Sequence, residues 1–277
     1  MDRVSVLDVR FAARLTDGMS PEMMDALAAI GVVVRPVVLV LLLAGLYRSA
    51  ALAGFSATRR TAITAVAGAV LTLWYAAIWI LAVRGAFVLN ATGISLALPS
   101  AIDLPLLAAF VVLPRLDVVK RPLDAVPTAW LVGIQTYRVI GGVFLLEMIR
   151  GRVPGEFAWS AACGDMLTGV LAGALAWRIA RSPSTPSRAI YVWNAFGILD
   201  LVVAQALGVM TSPGRLHVLA LAHPNFGIGT YPSVMTPAYA VPLSLILHGL
   251  SIWQLRRRAS RNVASPASSA AGATAFA

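Results

Sequence analysis

Seven long apolar segments constrain this chain more than any other feature of its sequence. The hydrocarbon core of a bilayer is about 30 Å thick, so a spanning helix needs about 20 mostly apolar residues. Such segments lie at about residues 29–47, 61–83, 96–114, 127–149, 157–178, 190–210 and 233–255. The sequence therefore predicts an all-α integral membrane bundle of seven transmembrane helices. The first helix is expected to begin before its apolar segment, at Pro21, because proline suits the first position of a helix.

The composition excludes the other large classes of protein. Of the 277 residues, 59% are apolar and only 12% are charged, whereas a soluble domain is about 45–50% apolar and about 25% charged. A single cysteine, Cys163, rules out a scaffold held by disulfides. A soluble enzyme, a disordered chain and a disulfide-rich secreted domain are therefore all excluded.

The distribution of lysine and arginine predicts the orientation in the membrane. Seven basic residues would lie on the face of the N-terminus and thirteen on the opposite face, and only Arg35 and Arg138 lie inside the segments. Because cytoplasmic connections are enriched in basic residues, the N-terminus is predicted outside and the C-terminus in the cytoplasm. The same bias accounts for the net charge of +10, so the expected partner is the lipid bilayer and not nucleic acid.

Three regions follow from this topology. Residues 1–28 form an extracytoplasmic N-terminal tail without the apolar core of a cleavable signal peptide. Residues 29–256 form the seven-helix membrane domain, and residues 257–277 are small and polar, which is typical of a disordered cytoplasmic tail.

Arg138 is the strongest candidate functional residue. It lies 11 residues from each end of the fourth segment, or about 17 Å along a helix, a distance that snorkelling does not easily cover. Its guanidinium must therefore find an acid, backbone carbonyls, water or an anionic ligand. On a regular α-helix, Gln135 and Gly142 would share its face.

Two aspartates lie at a depth compatible with Arg138. Asp200 is in the middle of the sixth segment and Asp165 is in the outer half of the fifth. We expect Arg138 to pair with Asp165, Asp200 or both. Two interpretations stay open: the cluster binds a ligand, or it is an ion pair that only fixes the packing of the helices.

His248 and Asn194 form a second, weaker polar set in the cytoplasmic half. The two residues lie at similar depths of the seventh and sixth segments, where His248 is either a hydrogen-bonded core residue or a proton-linked group.

The remaining ionisable residues and the longest loop have simpler interpretations. Glu147 is expected to be solvated, Arg35 to snorkel outward, and Asp103, between two prolines, to face a wet pocket. The loop at 211–232 is either a plain surface loop or includes a short interfacial helix over 215–222.

Several cofactor classes are excluded. The only lysine, Lys120, lies in a connection, so retinal has no attachment point inside a helix. One suitable histidine does not make a bis-histidine haem site, and one cysteine with three scattered histidines does not make a zinc site. We predict no cofactor and no metal.

A set of short motifs between residues 95 and 256 carries a family resemblance. The motifs are Gly133-Ile134-Gln135-Thr136-Tyr137-Arg138, Pro154-Gly155-Glu156-Phe157-Ala158, Gly164-Asp165, Trp193-Asn194-Ala195-Phe196-Gly197-Ile198-Leu199-Asp200-Leu201, Pro224-Asn225, and Pro237 to Pro242 leading to His248. Together they resemble an uncharacterised family of bacterial multi-pass membrane proteins. The resemblance implies a bacterial cytoplasmic-membrane location and brings no activity, ligand or catalytic residue. The run Ala161-Ala162-Cys163-Gly164 departs mildly from the more usual Pro-Ala-Gly-x-Gly of the family pattern.

Three functions remain in competition. The favoured one is binding or transport of a small molecule or lipid at a polar midplane site. Its candidate ligand-binding residues are Gln135, Arg138, Asp165, Asp200, Asn194 and His248. The first alternative is a non-catalytic membrane assembly or interaction protein in which the buried charges are structural. The second is a membrane-embedded enzyme acting on a lipid or quinone, with His248 or an aspartate as acid or base. The sequence leaves the oligomeric state open.

Overall fold

The computed structural model describes residues 21–88, 96–182 and 186–273, and the regular elements in these ranges are all helical. Seven of the helices are long and apolar enough to cross a bilayer, which confirms the prediction of a seven-helix membrane bundle. The spans are Val33–Leu52, Ala57–Val83, Ala97–Arg115, Thr128–Ile149, Gly155–Arg181, Ser187–Thr211 and Thr236–Arg261. The predicted N-terminal tail lies largely outside the described residues.

The second and third spans are the least buried of the seven. The first helix covers Pro21–Leu52; because the described residues start at Pro21, a start at that residue stays a prediction. The second helix is Ala57–Val83. Its N-cap is Ser56, whose side chain accepts a hydrogen bond from a backbone N–H of the first turn. The third helix, Ala97–Val112, ends in a 3₁₀ turn. The second and third spans bury few of their residues, so their large exposed apolar side chains face lipid.

The fourth span departs from a regular α-helix in its centre. It consists of an α-helix at Thr128–Gly133, a 3₁₀ segment at Ile134–Gly142 and an α-helix at Val143–Ile149. A 3₁₀ helix has 3.0 residues per turn, so residues three apart lie in one line. Gln135, Arg138 and Gly141 are the buried residues of this segment. The expectation that Gly142 shares the face of Arg138 is therefore wrong, because it assumed the period of an α-helix.

Arg138 of the fourth span contacts each of the last three spans. The fifth is Gly155–Arg181 and the sixth is Ser187–Thr211. The seventh starts with a π-helical turn at Thr236–Ala240 and continues as an α-helix over Val241–Ala273. That helix passes through residues 257–273, which were predicted to belong to a disordered tail.

One end of the bundle, here named the loop face, carries the connection between the sixth and seventh spans, residues 212–235. This connection contains turns, bends and one 3₁₀ turn at Gly227–Gly229, and residues 215–222 form no helix. It covers Glu147, which is buried, accepts a hydrogen bond of 3.2 Å from Ser233 and lies 3.4 Å from Arg152. The expectation of a solvated Glu147 is therefore wrong, because the folded loop lies over it.

The opposite end, here named the arginine face, carries a short helix at Asp117–Ala125 that is fastened to the last helix. Asp124 accepts hydrogen bonds of 2.8 and 2.7 Å from Arg257 and one of 2.5 Å from Arg261. Gln254 donates to the backbone carbonyls of Leu123 and Val126. The hydrogen bonds from Arg257 hold the pKa of Asp124 below its ordinary value.

Candidate functional site

Arg138 lies at the centre of the bundle, and its acidic partners come from two neighbouring spans. Its Nε donates to Oδ1 of Asp165 at 2.7 Å, and its Nη2 lies 2.6 Å from the same oxygen. Nη2 also donates to Oδ2 of Asp200 at 2.5 Å. The arginine is buried, with a side-chain exposure of 2%. Of the two pairings left open by the sequence, the structure shows both.

The remaining terminal nitrogen of Arg138 has two further acceptors. Nη1 donates to the backbone carbonyl of Gly197 at 3.2 Å and to Nε2 of His248 at 3.1 Å. Four acceptor atoms thus surround the five N–H groups of the guanidinium, and Nε and Nη2 share one of them, Oδ1 of Asp165. The protein itself satisfies Arg138, and no N–H group is left for a ligand.

The hydrogen bond to Arg138 fixes the protonation of His248. Arginine is a donor only, so Nε2 of the ring must accept and carries no proton. The ring proton is therefore on Nδ1, which donates to Oδ1 of Asn194 at 2.9 Å. A second ring proton would point an N–H group at the guanidinium, so this geometry requires the neutral imidazole.

The network continues beyond His248 until its polar groups are satisfied. The Nδ2 of Asn194 donates to the carbonyl of Ile190 at 2.9 Å and to the hydroxyl of Ser251 at 3.0 Å. The indole ring of Trp193 lies against the imidazole, with 4.8 Å between the ring centroids. Both ring nitrogens of His248 are engaged, so neither is available for acid–base exchange with a ligand.

Two glycines allow the helices to come this close. A Cβ atom on Gly141 would collide with the Cβ and carboxylate of Asp165, and one on Gly197 would collide with the ring of His248. The missing side chains let the fifth and seventh spans reach the backbones that present Arg138 and the Gly197 carbonyl.

The cluster carries more negative than positive formal charge. One guanidinium faces two carboxylates, those of Asp165 and Asp200, while His248 is neutral by its hydrogen bonds. With both carboxylates ionised, the sum is one negative charge. Buried charges of this kind are costly unless they are paired and hydrogen-bonded, which is the role that the full set of contacts serves here.

A cavity of about 40 Å³ lies next to this cluster, on the side of the first span. This volume has room for a few water molecules. Its polar lining comes from Arg35, Tyr137, Arg138, Asp165, Thr236 and Ser244. The first, fourth, fifth and seventh spans thus each contribute a polar side chain to one space inside the bundle.

Arg35 lines the cavity. Its Nη1 donates to the carbonyl of Gly31 at 2.7 Å and its Nη2 to the hydroxyl of Thr236 at 2.9 Å. Thr236 is the first residue of the π-helical turn that opens the seventh span. Both acceptors lie toward the predicted outer ends of their spans, Gly31 one turn before Arg35 and Thr236 at the start of the seventh span, so outward snorkelling stays a prediction.

Gln135 lies one 3₁₀ turn from Arg138 and does not touch it. Its Nε2 donates to the backbone carbonyl of Ser244 at 3.0 Å, and the hydroxyl of Ser244 lies 2.6 Å from that of Tyr137. The Oε1 of Gln135 is buried and has no hydrogen-bond partner among the described residues. Gln135 therefore packs the fourth span against the seventh and does not line the cavity.

The structure unites two sets that the sequence kept apart. Arg138, Asp165 and Asp200 join His248 and Asn194 in one network, whereas the sequence placed the histidine pair separately in the other half of the membrane. Asp103 is exposed on the third span.

Sequence reasoning missed Ser244, Ser251 and the Gly197 carbonyl. The two serines could have been predicted from the sequence, because they lie four residues before and three residues after His248 and so share its helix face. No signal in the sequence points to a particular backbone carbonyl.

A family model described as "Domain of unknown function (DUF8737)" matches residues 91–256. The chain belongs to the DUF8737 family. The matched residues contain every member of the Arg138 network, and the first two spans, with Arg35, lie outside them. The match confirms the resemblance to an uncharacterised family. Comparison with curated proteins and with solved structures gave no match.

Proposed function

We propose that this membrane protein binds a small molecule in the cavity between its first, fourth and seventh spans. The observation that carries the proposal is the cavity itself, because polar side chains of several spans converge on it beside a charged cluster inside the bundle. Ligand sites in helical membrane proteins commonly lie at such depth, between spans that depart from regular helix. Here the 3₁₀ segment of the fourth span and the π-helical turn of the seventh both border the cavity.

The sequence predicted that Arg138 binds the ligand directly, but the proposal gives the Arg138 cluster a structural role beside the cavity. Since all N–H groups of Arg138 have acceptors within the protein, the arginine serves as a rigid wall and not as a donor to the ligand. Arg35, which also lines the cavity, keeps unused N–H groups.

The orientation and location form part of the proposal. The excess of basic residues on the arginine face supports a cytoplasmic position for that face, which places the loop face and the N-terminus outside. The resemblance to bacterial membrane proteins supports the bacterial cytoplasmic membrane. In this orientation the cavity lies in the outer half of the bundle, because Thr236 and Arg35 are near the outer ends of their spans.

Transport is the extension of binding that the irregular segments favour. A 3₁₀ stretch within a helix often marks a hinge, and π-helical turns are frequent at functional sites. Movement at Thr236–Ala240 would change the walls of the cavity without moving the segment that carries Arg138.

A second candidate function is that of a non-catalytic assembly protein whose buried charges are structural. The observation that favours it is the complete satisfaction of Arg138, which ties the fourth, fifth, sixth and seventh spans together. The two candidate functions differ in the role of the cavity: ligand binding requires it, and assembly does not.

The test fills the cavity without substituting a charged residue. Gly31 lines the cavity, and a Cβ atom there meets only ordinary van der Waals contacts at 3.6 and 3.8 Å. Gly31→Leu should therefore fill the space and leave the fold intact. Val33→Leu is the matched control, since Val33 is exposed on the same helix.

The detergent-purified proteins are incubated with the small-molecule extract of the producing cells, and retained compounds are identified by mass spectrometry. We expect at least one compound to be retained by the wild type and by Val33→Leu and lost from Gly31→Leu. Equal retention by all three proteins, or retention by none, would favour the assembly protein.

A further inference from the structure

We infer that Arg35 binds an oxyanion, a carboxylate or phosphate group, of the molecule that occupies the cavity. This inference rests on the proposed function and adds the chemical class of the ligand. It also moves the point of recognition from the fourth span to the first.

The guanidinium of Arg35 is only partly used. Five N–H groups are available, and the protein accepts two of them, at the Gly31 carbonyl and the Thr236 hydroxyl. Both acceptors are neutral, and within the described residues Arg35 forms no ion pair. Arg138, which borders the same cavity, has two carboxylates and no spare N–H group.

The other polar groups around Arg35 do not supply the missing negative charge. Four tyrosines are the titratable side chains that interact electrostatically with the Arg35 guanidinium: Tyr75, Tyr137, Tyr231 and Tyr239. Tyr239 is buried, and its hydroxyl has no hydrogen-bond partner among the described residues. Phenol groups are neutral at pH 7, so the charge of Arg35 has no compensating anion among these four side chains.

The geometry of arginine selects the class of acceptor. A guanidinium presents its donors as a planar fork that matches the two oxygens of a carboxylate or phosphate. A ligand cation would meet a like charge at Arg35, and a neutral ligand would leave that charge uncompensated inside the bundle. An oxyanion is the class that removes both costs.

One competing explanation is electrostatic balance at a distance. The Arg138 cluster carries a surplus negative charge when both carboxylates are ionised, and Arg35 stands across the cavity from it. If balance were its sole role, Arg35 would contribute to stability without any response to added anions. The response to anions therefore separates the two explanations.

The experiment measures the thermal unfolding midpoint (Tm) of the full chain in lipid nanodiscs. One arm uses phosphatidylcholine nanodiscs and titrates inorganic phosphate or acetate at constant ionic strength. The other arm replaces phosphatidylcholine by phosphatidylglycerol without added anion. The proteins are the wild type, Arg35→Gln, Arg35→Lys and the control Arg84→Gln, since Arg84 is exposed at the end of the second span.

We expect an anion-dependent rise of Tm in the wild type and in Arg84→Gln, and none in Arg35→Gln. Arg35→Lys keeps the charge and loses the fork, so its apparent dissociation constant should rise about tenfold or more. A response to phosphatidylglycerol alone assigns the oxyanion to a lipid headgroup, and a response to the free anions assigns it to a soluble ligand.

Two results would overturn the inference: no response of the wild type in either arm, or a response that persists in Arg35→Gln. If Arg35→Gln does not fold, an unchanged dissociation constant in Arg35→Lys overturns it instead. Loss of compounds from Gly31→Leu without any anion response of the wild type would leave the proposed function standing and reject the oxyanion. An Arg35-dependent response with unchanged retention by Gly31→Leu would do the reverse.

Discussion

Arg138 and His248, 110 residues apart in the chain, are joined by a hydrogen bond of 3.1 Å between Nη1 and Nε2. Since arginine cannot accept, this bond determines which nitrogen of the imidazole is bare. It also couples the charged cluster of the fourth, fifth and sixth spans to the polar face of the seventh. The tautomer of one ring therefore reports whether the whole network is formed.

The first prediction concerns that tautomer at neutral pH. His248 should carry its proton on Nδ1, because Nδ1 donates to Asn194 while Nε2 accepts from Arg138. His223 should show the opposite tautomer, because its Nε2 lies 3.0 Å from the carbonyl of Gly151 and must donate to it. Nitrogen chemical shifts of ¹⁵N-histidine-labelled protein distinguish the two forms, and His248→Gln assigns the signal. A protonated Nε2 on His248 would contradict the network.

The second prediction concerns the removal of the central guanidinium. Arg138→Gln leaves two buried carboxylates without their cation, so we expect a loss of about 3–5 kcal/mol in the free energy of unfolding. Arg138→Lys should also destabilise, because an ammonium has three N–H donors where the guanidinium serves four acceptor atoms. The measurement is thermal unfolding of the purified protein, with Arg84→Gln as the control. If Arg138→Gln unfolds at the wild-type temperature, the charge serves something other than packing.

The third prediction concerns the close approach of the fourth and fifth spans. Gly141→Ala should destabilise, because its methyl group would overlap the Cβ atom of Asp165, which cannot move without its helix. Gly173→Ala, on the fifth span, should be neutral or stabilising, because its methyl group meets Thr136 at 3.5 Å or more and alanine favours a helix by about 0.5–1 kcal/mol over glycine. Thermal unfolding of the two variants should differ in sign relative to the wild type. Equal effects would show that the contact at Gly141 is not tight.

The fourth prediction concerns pH and the clamp on the arginine face. Hydrogen bonds from Arg257 lower the pKa of Asp124 in the folded state. Its contribution to stability is therefore fully present above the ordinary aspartate pKa of about 3.9 and is lost as the pH falls through the lowered folded value. The difference in Tm between the wild type and Asp124→Asn should be constant from pH 7 to pH 5 and shrink below about pH 4.

The control for this clamp is Asp117→Asn. Asp117 is exposed and forms a hydrogen bond of 2.8 Å with Lys120. Solvent screens such a pair, so its substitution should change Tm little at any pH. A Tm difference for Asp124→Asn that persists unchanged at pH 3 would show that the carboxylate charge is not what fastens the short helix.

The sequence alone predicted the class of fold and the members of the central network. Seven apolar segments of spanning length are sufficient to predict seven membrane helices, because the thickness of the bilayer sets their length. The depth of Arg138, Asp165 and Asp200 along their segments predicted a cluster, because a charge inside the membrane needs a partner.

The tertiary structure alone decided how those residues combine. The 3₁₀ geometry of the fourth span replaced Gly142 by Gly141 opposite Asp165, and the folded loop buried Glu147. The tertiary structure also directs Arg35 into the cavity toward Thr236. It places acceptors from the protein around every nitrogen of the Arg138 guanidinium. Depth along a segment follows from counting residues, but the rotation of each helix and the covering of its ends depend on contacts between spans far apart in the chain.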